Sequence, residues 1–301
     1  MAEISVVLGS YQSAEHLAEC MASLLRQSHP PDAIVVVDAA SSDESADVAR
    51  ALGATVIETH NRGLGFLYNT GIRATEGDYV FVANTDIALD DRCLELLAAA
   101  LDEDGDRFAA DPKQLDWPGD RVVHARVVAR RTSLLAAPIP GLALDPHVEA
   151  ATTVPTVSAN AGAMLLRRAH LEVLGGFDEG FFLEYEDLDL CWRARARGWE
   201  SVYVPGAVIR HHVGGSTTAG RASRRRLSAS HTSLLRFALK CLPPGAATRV
   251  VAGELVRMLR HPLPVGSGLV RSAAALPEIV RERRKLGDTR VLFERVVGRS
   301  A

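Results

Sequence analysis

The chain has 301 residues, 47% of them hydrophobic, with a formal net charge of −3. That is enough apolar material for one large domain or two small ones, and no uninterrupted apolar run is long enough for a spanning helix. The opening MAEISVVLGSYQS puts an acid before its apolar run and has no basic leader, which argues against a signal peptide, and Cys20, Cys93, Cys191 and Cys241 are too scattered for a metal-type pair, as expected of reduced thiols in a cytoplasmic protein.

Glu3 to Leu8 reads as a β-strand ending at Gly9-Ser10-Tyr11, and Leu17, Met21, Leu24 and Leu25 then recur at helical spacing. Ala33 to Val37 is a second strand ending in Asp38. Ser41, Ser42 and Asp43 offer caps for the next helix, which Gly53 stops. Strands at Ala54 to Glu58 and Asp78 to Ala83 bracket a helix around Leu67 to Ala74. Near-continuous apolar strands alternating with helices predict a Rossmann-like α/β fold with a doubly wound, mostly parallel sheet.

Ligands in such sheets bind beyond the carboxyl ends of the strands. Polar residues collect at those ends here: Ser10 and Tyr11, then Asp38, then Asn61 with Gly63 and Gly65, then Asn84-Thr85-Asp86. Asp38 and Asp43 serve equally well as caps when taken singly. His60-Asn61-Arg62-Gly63-Leu64-Gly65 lacks the lysine of a phosphate-binding P-loop, which argues against that NTPase chemistry.

From Leu101 to Val157 the strand–helix rhythm breaks down. DEDGDRFAADPKQLDWPGD is turn-rich, RVVHARVVARRTSLLAAPIPGL is basic and apolar, and Pro138, Pro140 and Pro146 follow closely. So long a departure predicts an irregular functional insertion on the acceptor side of a cleft, with Trp117, His124 and Arg126 as candidates. Trp117 also fits a surface anchor of the loop. Val157 to Leu166, a helix around His170 to Leu174 and the turn Gly175-Gly176-Phe177-Asp178 return the chain to the site.

The stretch GFFLEYEDLDLCWRARARGW crowds carboxylates ahead of arginines. From Asp187 onward Leu188, Cys191, Trp192 and Arg195 share one helical face, and Asp189 and Arg193 are spaced for an ion pair. Asp187 falls on the flank of the apolar face at the helix start, half-buried near the positive end of the dipole, a setting that suits a general base. Glu186 and Asp187 also fit the plainer role of charge-matching a helix N-terminus.

Val202 to Pro205 and Ala207 to Arg210 read as two strands, and HHVGGSTTAG as a polar exit. Helical patterns follow at Arg221 to Leu239, Thr248 to Arg260 and Leu276 to Leu286. From Arg221 onward there are 17 Lys and Arg against 5 Asp and Glu, a basic segment on an acidic body. No aromatic interleaving or reader motif points to nucleic acid. The segment is expected to lie on an anionic membrane surface or to pair with another subunit as a homo-oligomer, and a merely solvated basic face is the bland alternative.

The ordered series SVVLGSYQS, VVVDAASSDES, HNRGLGFLYNTGI, GDYVFVANTDIAL and GGFDEGFFLEYEDLDLCWRARARGW…VYVPGAVIRHHVGGS resembles the family 2 glycosyltransferases of the GT-A fold, most of all the bacterial rhamnosyltransferase-type members. The resemblance covers roughly residues 3 to 218. It implies a glycosyltransferase domain over 1–218, holding the insertion at 101–157, and a basic helical extension over 219–301. It places Tyr11 and Asp38 at the donor's nucleotide base, and Asn61, Gly63 and Asn69 in the segment beside the nucleotide. Ser10 and Asn84 join this donor-binding set. Asp86 would hold a divalent cation, Mg2+ or Mn2+, on the diphosphate, with His211 as the late metal or diphosphate contact. Asp187, with Glu186 beside it, would be the catalytic base. The glycines of HHVGGSTTAG would lie over the diphosphate.

The sequence departs from the family pattern at three places. The usual Asp-X-Asp is Asn84-Thr85-Asp86, the Asn after the opening Tyr is Gln12, and Asp-Asn-Ala-Ser-Thr-Asp is Asp38-Ala39-Ala40-Ser41-Ser42-Asp43. His211 and His212 are adjacent, and the spacing to Ser216 favours His211. The resemblance implies an inverting, metal-dependent enzyme that moves rhamnose from dTDP-rhamnose to a hydroxyl of a cell-surface glycan or lipid-linked acceptor. It would act in the cytoplasm or at the inner face of the plasma membrane. The alternatives are a UDP-hexose donor or a nucleotide-sugar-binding module without catalysis. A sugar nucleotidylyltransferase would need an Arg-containing glycine-rich loop after the first strand, and Gly9-Ser10-Tyr11-Gln12 is not one.

Overall fold

Alternation along β1 (Ile4–Ser10) sends Ile4, Val6 and Leu8 into one core and Val7 into another, so both faces of its sheet must be covered. The computed structural model describes residues 2–129, 142–145, 152–212 and 224–298. In chain order β1 is followed by α1 (Ala14–Leu25), β2 (Ala33–Asp38), α2 (Ser45–Ala51), β3 (Thr55–Glu58), α3 (Leu64–Ile72) and β4 (Tyr79–Asn84). The short β5 (Ile87–Leu89) and α4 (Cys93–Asp102) come next, then β6 (Arg107–Asp116), β7 (Val122–His124), β8 (Arg126–Ala129), β9 (Leu142–Asp145), β10 (Val154–Thr156) and β11 (Ala163–Arg167). After α5 (Arg168–Leu174), α6 (Glu186–Ala196) and β12 (Glu200–His211), the chain ends in α7 (Arg224–Cys241), α8 (Pro244–Met258), α9 (Pro262–Ala274), α10 (Leu276–Arg284) and α11 (Thr289–Gly298).

The main sheet has the order β10-β12-β6-β11-β4-β1-β2-β3, with β5 on β12 and β7 on β6. β3, β2, β1 and β4 run parallel, and β6 and β12 run parallel, while β11 between the two groups is antiparallel to its neighbours. One face is covered by α1 and α4, whose Leu17, Leu24, Leu94 and Leu97 meet Val6, Leu8 and Phe81. The other is covered by α3, α5 and α6 through Leu67, Tyr68, Leu171 and Leu190 against Val7, Val80 and Val82. This is the mixed, mostly parallel α/β architecture expected.

Several boundaries and one larger assignment differ from the sequence reading. Arg107–Asp116 lies inside the stretch expected to be an irregular insertion, yet it is a strand in the interior of the sheet, between β12 and β11. Its Asp111, Pro112 and Lys113 mask the apolar pattern, because Asp111 is fully buried for reasons of the site. Irregularity is confined to the residues after β6, where β8 and β9 form a separate two-stranded sheet. The prolines Pro138, Pro140 and Pro146 lie outside the described residues. Within the segment Val157 to Arg167 the strand is Ala163–Arg167. The two strands read at 202–205 and 207–210 are one, β12, with a register shift between Val204 and Val208 where Pro205 and Gly206 interrupt the ladder.

The helix carrying the acidic cluster has two apolar sides rather than one. Leu190, Cys191 and Ala194 of α6 face the sheet, whereas Leu188 and Trp192 face Phe237, Leu242 and Val250 of the C-terminal helices. Trp192 meets Phe237 edge-on at 5.5 Å. A buried ion cluster reinforces the contact: Lys240 Nζ lies 2.6 Å from Asp178 and 2.7 Å from Asp189, and Arg236 donates to both oxygens of Asp178. Burial works against the Asp178 charge, but Lys240 and Arg236 outweigh it and hold the carboxyl well below the ordinary range. Asp189 does bond Arg193 at 2.8 Å as its spacing predicts, and it binds Lys240 as well. The C-terminal helices are therefore part of the fold's packing. The breaker-rich α9 is absent from the sequence pattern; its prolines sit in the first turn, where no helical N–H is lost.

Candidate active site

The ends of β1, β2 and β4 are stitched together by short polar side chains. Asp38 is buried and accepts from Ser10 Oγ at 3.2 Å, Ser41 N at 2.8 Å and Ser41 Oγ at 2.6 Å. Gln12 N donates to Ser41 Oγ, Ser13 N to Ser45 Oγ, and Thr85 Oγ1 to Ser13 Oγ. Among the described residues the non-glycine positions with positive φ are Gln12, Ala40, Glu184 and Tyr185. All four lie in loops at this edge of the sheet, so backbone strain is concentrated where the strand ends meet.

Glu184 and Tyr185, with φ of 65° and 70°, turn the chain into the first turn of α6. This aims Glu186 and Asp187 into a cavity of about 470 Å3 shared with Asn84, His124, Asn160 and His211. Asp187 Oδ2 accepts the Ala161 N–H at 3.2 Å and Oδ1 accepts that of Leu188 at 2.7 Å. Glu186 is buried, and its Oε2 has no hydrogen-bond partner. Burial, followed by the neighbouring Asp187 carboxylate, pushes Glu186 above the ordinary range. Burial also raises Asp187, opposed by its two backbone donors. Asp187 has two backbone donors that favour its ionised form and Glu186 only its own N–H, so a proton shared by the pair resides on Glu186, leaving Asp187 the charged member.

His124 lies in the same cavity. Its Nε2 is 2.9 Å from Oδ2 of Asp111, a fully buried carboxylate whose Oδ1 accepts the Asn160 N–H. Burial alone would lower the imidazole pKa, but the Asp111 charge more than reverses this and raises it. A proton on His124 presents a positive charge to the Asp187 carboxylate, partly offset by the Asp111 carboxylate behind it.

Asp86 is buried, and its Oδ1 has no hydrogen-bond partner, with His211 Nε2 3.4 Å away. His211 Nδ1 lies 3.2 Å from Gln114 Oε1, which orients the ring. A buried carboxylate oxygen left without a donor is costly, and a divalent cation would relieve it. Among the described residues no three His, Cys, Asp or Glu side chains converge into a metal-binding group. The donor set present, one carboxylate and one imidazole, fits a cation that takes its other ligands from a bound diphosphate and water.

Comparison with known proteins gives this arrangement a family. The glycosyl transferase family 2 profile matches residues 5–115, the part of the chain that forms β1 to β6. Over these residues the chain is similar to glycosyl transferase family 2. An N-acetylglucosaminyl-diphospho-decaprenol L-rhamnosyltransferase of Mycobacterium tuberculosis is 28% identical over 260 residues, 78% of this chain and 83% of that one. The mannosyltransferase PcManGT from Pyrobaculum calidifontis, solved with GDP-Man and Mn2+, superposes with a TM-score of 0.57 at 19% identity over 96% of this chain and 86% of that one. S. aureus TarS 1–349, solved with UDP-GlcNAc, superposes with a TM-score of 0.53 at 20% identity, over 86% and 73% of the two chains. These structures establish the GT-A fold.

The residues singled out from sequence separate into two groups. Asn84, Glu186, Asp187 and His211 line one cavity, and Asp86 adjoins it through His211. Of the adjacent histidines, His211 faces the cavity, while His212 is stacked between Trp117 at 3.5 Å and His16 at 4.4 Å. Trp117 therefore anchors its loop and does not line the cavity. Arg126 is likewise engaged elsewhere, donating to the Pro155 carbonyl. Ser10, Tyr11 and Asp38 share the strand-end cluster, with Tyr11 half-exposed.

Three residues of the expected donor segment also hold the fold together. Asn69 is buried and its amide is used by the Phe177 N–H and C=O and by Glu179, so it fastens α3 to the Gly175–Asp178 turn. Gly63 is demanded by packing, since a Cβ there would lie 2.4 Å from the Phe182 carbonyl oxygen, and its φ is 103°. Asn61 holds that turn by accepting the Gly63 N–H. The glycines after His212 lie outside the described residues. Sequence reasoning missed Asp111, whose strand was read as loop, and the cavity-lining Arg226 of α7. A lone Asp in a turn-rich stretch carries no signal until the sheet places it opposite His124.

Proposed function

We propose that this glycosyltransferase is inverting and metal-assisted, and that it transfers rhamnose from dTDP-rhamnose to a hydroxyl of a lipid-linked glycan acceptor. The observation that carries the reading is the convergence of Asp187, His124 and His211 on one cavity, with Asp86 adjoining it through His211. Asp187 takes the proton of the acceptor hydroxyl as its oxygen bonds to the anomeric carbon. The bond from that carbon to the diphosphate breaks on the opposite face, and one base serves one inversion. A divalent cation held by Asp86 and His211 would supply positive charge to the leaving diphosphate. Asn84 keeps an amide beside that position, and its side chain already meets the Tyr68 hydroxyl at 3.1 Å.

The strand-end cluster of Ser10, Tyr11 and Asp38 would receive the donor nucleotide, with the half-exposed Tyr11 ring available for the base. Rhamnose and the lipid-linked acceptor rest on the sequence motifs and on the likeness to the mycobacterial rhamnosyltransferase, which covers most of both chains. The test is transfer and binding across a panel of nucleotide sugars with a diphospho-lipid acceptor. Use of dTDP-rhamnose is expected to be fastest, and a clear preference for a UDP-hexose would replace the donor.

A further inference from the structure

The connection between α8 and α9 carries an apolar patch that the rest of the protein does not cover. Leu259 is 82% exposed, Val256 66% and Leu263 65%; Val256 and Leu259 lie one turn apart at the end of α8 and Leu263 in the first turn of α9, so all three sit at the α8–α9 turn. Leu255 beside them is half-exposed. Singly exposed leucines are ordinary, but a cluster at a projecting turn is not.

The charge around this patch has one sign. From Pro244 to Pro277 the chain has four arginines, Arg249, Arg257, Arg260 and Arg271, and a single carboxylate, Glu254. Glu254 is buried and is engaged by His231 and Arg257. The exposed surface of this segment is therefore apolar and cationic, with no exposed acid. Pairing two copies of the patch about a two-fold axis would bring arginine against arginine, which disfavours a self-contact. A surface of anionic lipid headgroups over acyl chains matches both features, the arginines at headgroup level and the leucines just beneath. Among the described residues no helix is long and apolar enough to cross a membrane.

We infer that the α8–α9 turn is a membrane-docking wedge, in which Leu259 and Leu263 insert into an anionic phospholipid surface held by Arg249 and Arg260. The inference rests on the lipid-linked acceptor proposed above for its purpose, since docking would bring the enzyme to a substrate confined to the membrane. Its test needs no donor, acceptor or turnover, so the two stand or fall separately.

The experiment is co-sedimentation of the full chain with vesicles of phosphatidylcholine alone and of phosphatidylcholine mixed with phosphatidylglycerol. The wild-type protein is expected to bind the mixed vesicles, to bind the neutral ones far less, and to be released as salt rises. Leu259→Gln with Leu263→Gln should weaken partitioning by about tenfold or more while leaving the unfolding midpoint unchanged, since both side chains are already in water. Arg249→Gln with Arg260→Gln should abolish the preference for the anionic vesicles. Absence of binding to mixed vesicles overturns the inference, as does unaltered binding by the leucine variant. A concentration-dependent dimer lost in the leucine variant, without vesicle binding, would assign the patch to a second copy instead.

Discussion

Lys240 provides the sharpest test of how the C-terminal helices support the site. Its ammonium is buried between Asp178 and Asp189 at 2.6 and 2.7 Å, and Asp189 lies on α6 two residues after Asp187. Lys240→Met keeps most of the stem's volume and removes the charge, leaving three carboxylates, Asp178, Asp189 and Glu278, to Arg193 and Arg236. Breaking a buried pair typically costs about 3–5 kcal/mol because the remaining charge loses its partner. Both aspartates keep an arginine here, so the low end, about 3 kcal/mol, is expected, which is on the order of a hundredfold in the folded-to-unfolded ratio. Urea unfolding should show it as a midpoint lowered by roughly 1 M, and hydrogen exchange should quicken in α6 ahead of the parallel strands. A loss below about 1 kcal/mol, or a chain ending before α7 that folds and transfers sugar, would show that these helices do not hold α6 in place.

Replacing His124 by Gln removes the charge that faces Asp187 and leaves Asp111 buried without a cation; kcat should fall on the order of a hundredfold while the donor KM changes little, and the acid limb of the pH–rate profile should move. A kcat equal to wild type would remove His124 from the machinery. Asn84→Asp adds a second carboxylate next to the Asp86 position, so the divalent-cation concentration for half-maximal activity should drop by roughly tenfold; a cation titration that superimposes on wild type would contradict the placement of the metal.

The parallel half of the fold was legible because its strands are near-continuous apolar runs, its helices repeat apolar residues at helical spacing, and Gly53 follows the end of α2 with a positive φ. The strand ends named from sequence, Ser10, Asp38 and Asn84 with Asp86, do share one edge of the sheet. Legibility failed where the site imposes its own chemistry on the core. Asp111 puts a charge in the middle of an interior strand, so β6 reads as loop although it is wholly integrated into the sheet. Asn69 and Gly63 also carry structural roles that the sequence does not show. The family resemblance placed them beside the donor, and the partners they pack against, Phe177 and Phe182, are more than a hundred residues away in sequence. The periodicity of α6 showed an amphipathic helix but not that it lies between two cores, since that depends on helices far downstream.

Everything proposed for the chemistry turns on Asp187 removing the acceptor proton. Paired assays of donor binding and sugar transfer, run on wild type and Asp187→Asn, address this without an intermediate step. Nucleotide-sugar binding is expected to stay within about twofold of wild type while transfer falls by about 10²–10⁴-fold. Transfer at the wild-type rate with donor binding intact would contradict the role of Asp187 as the base.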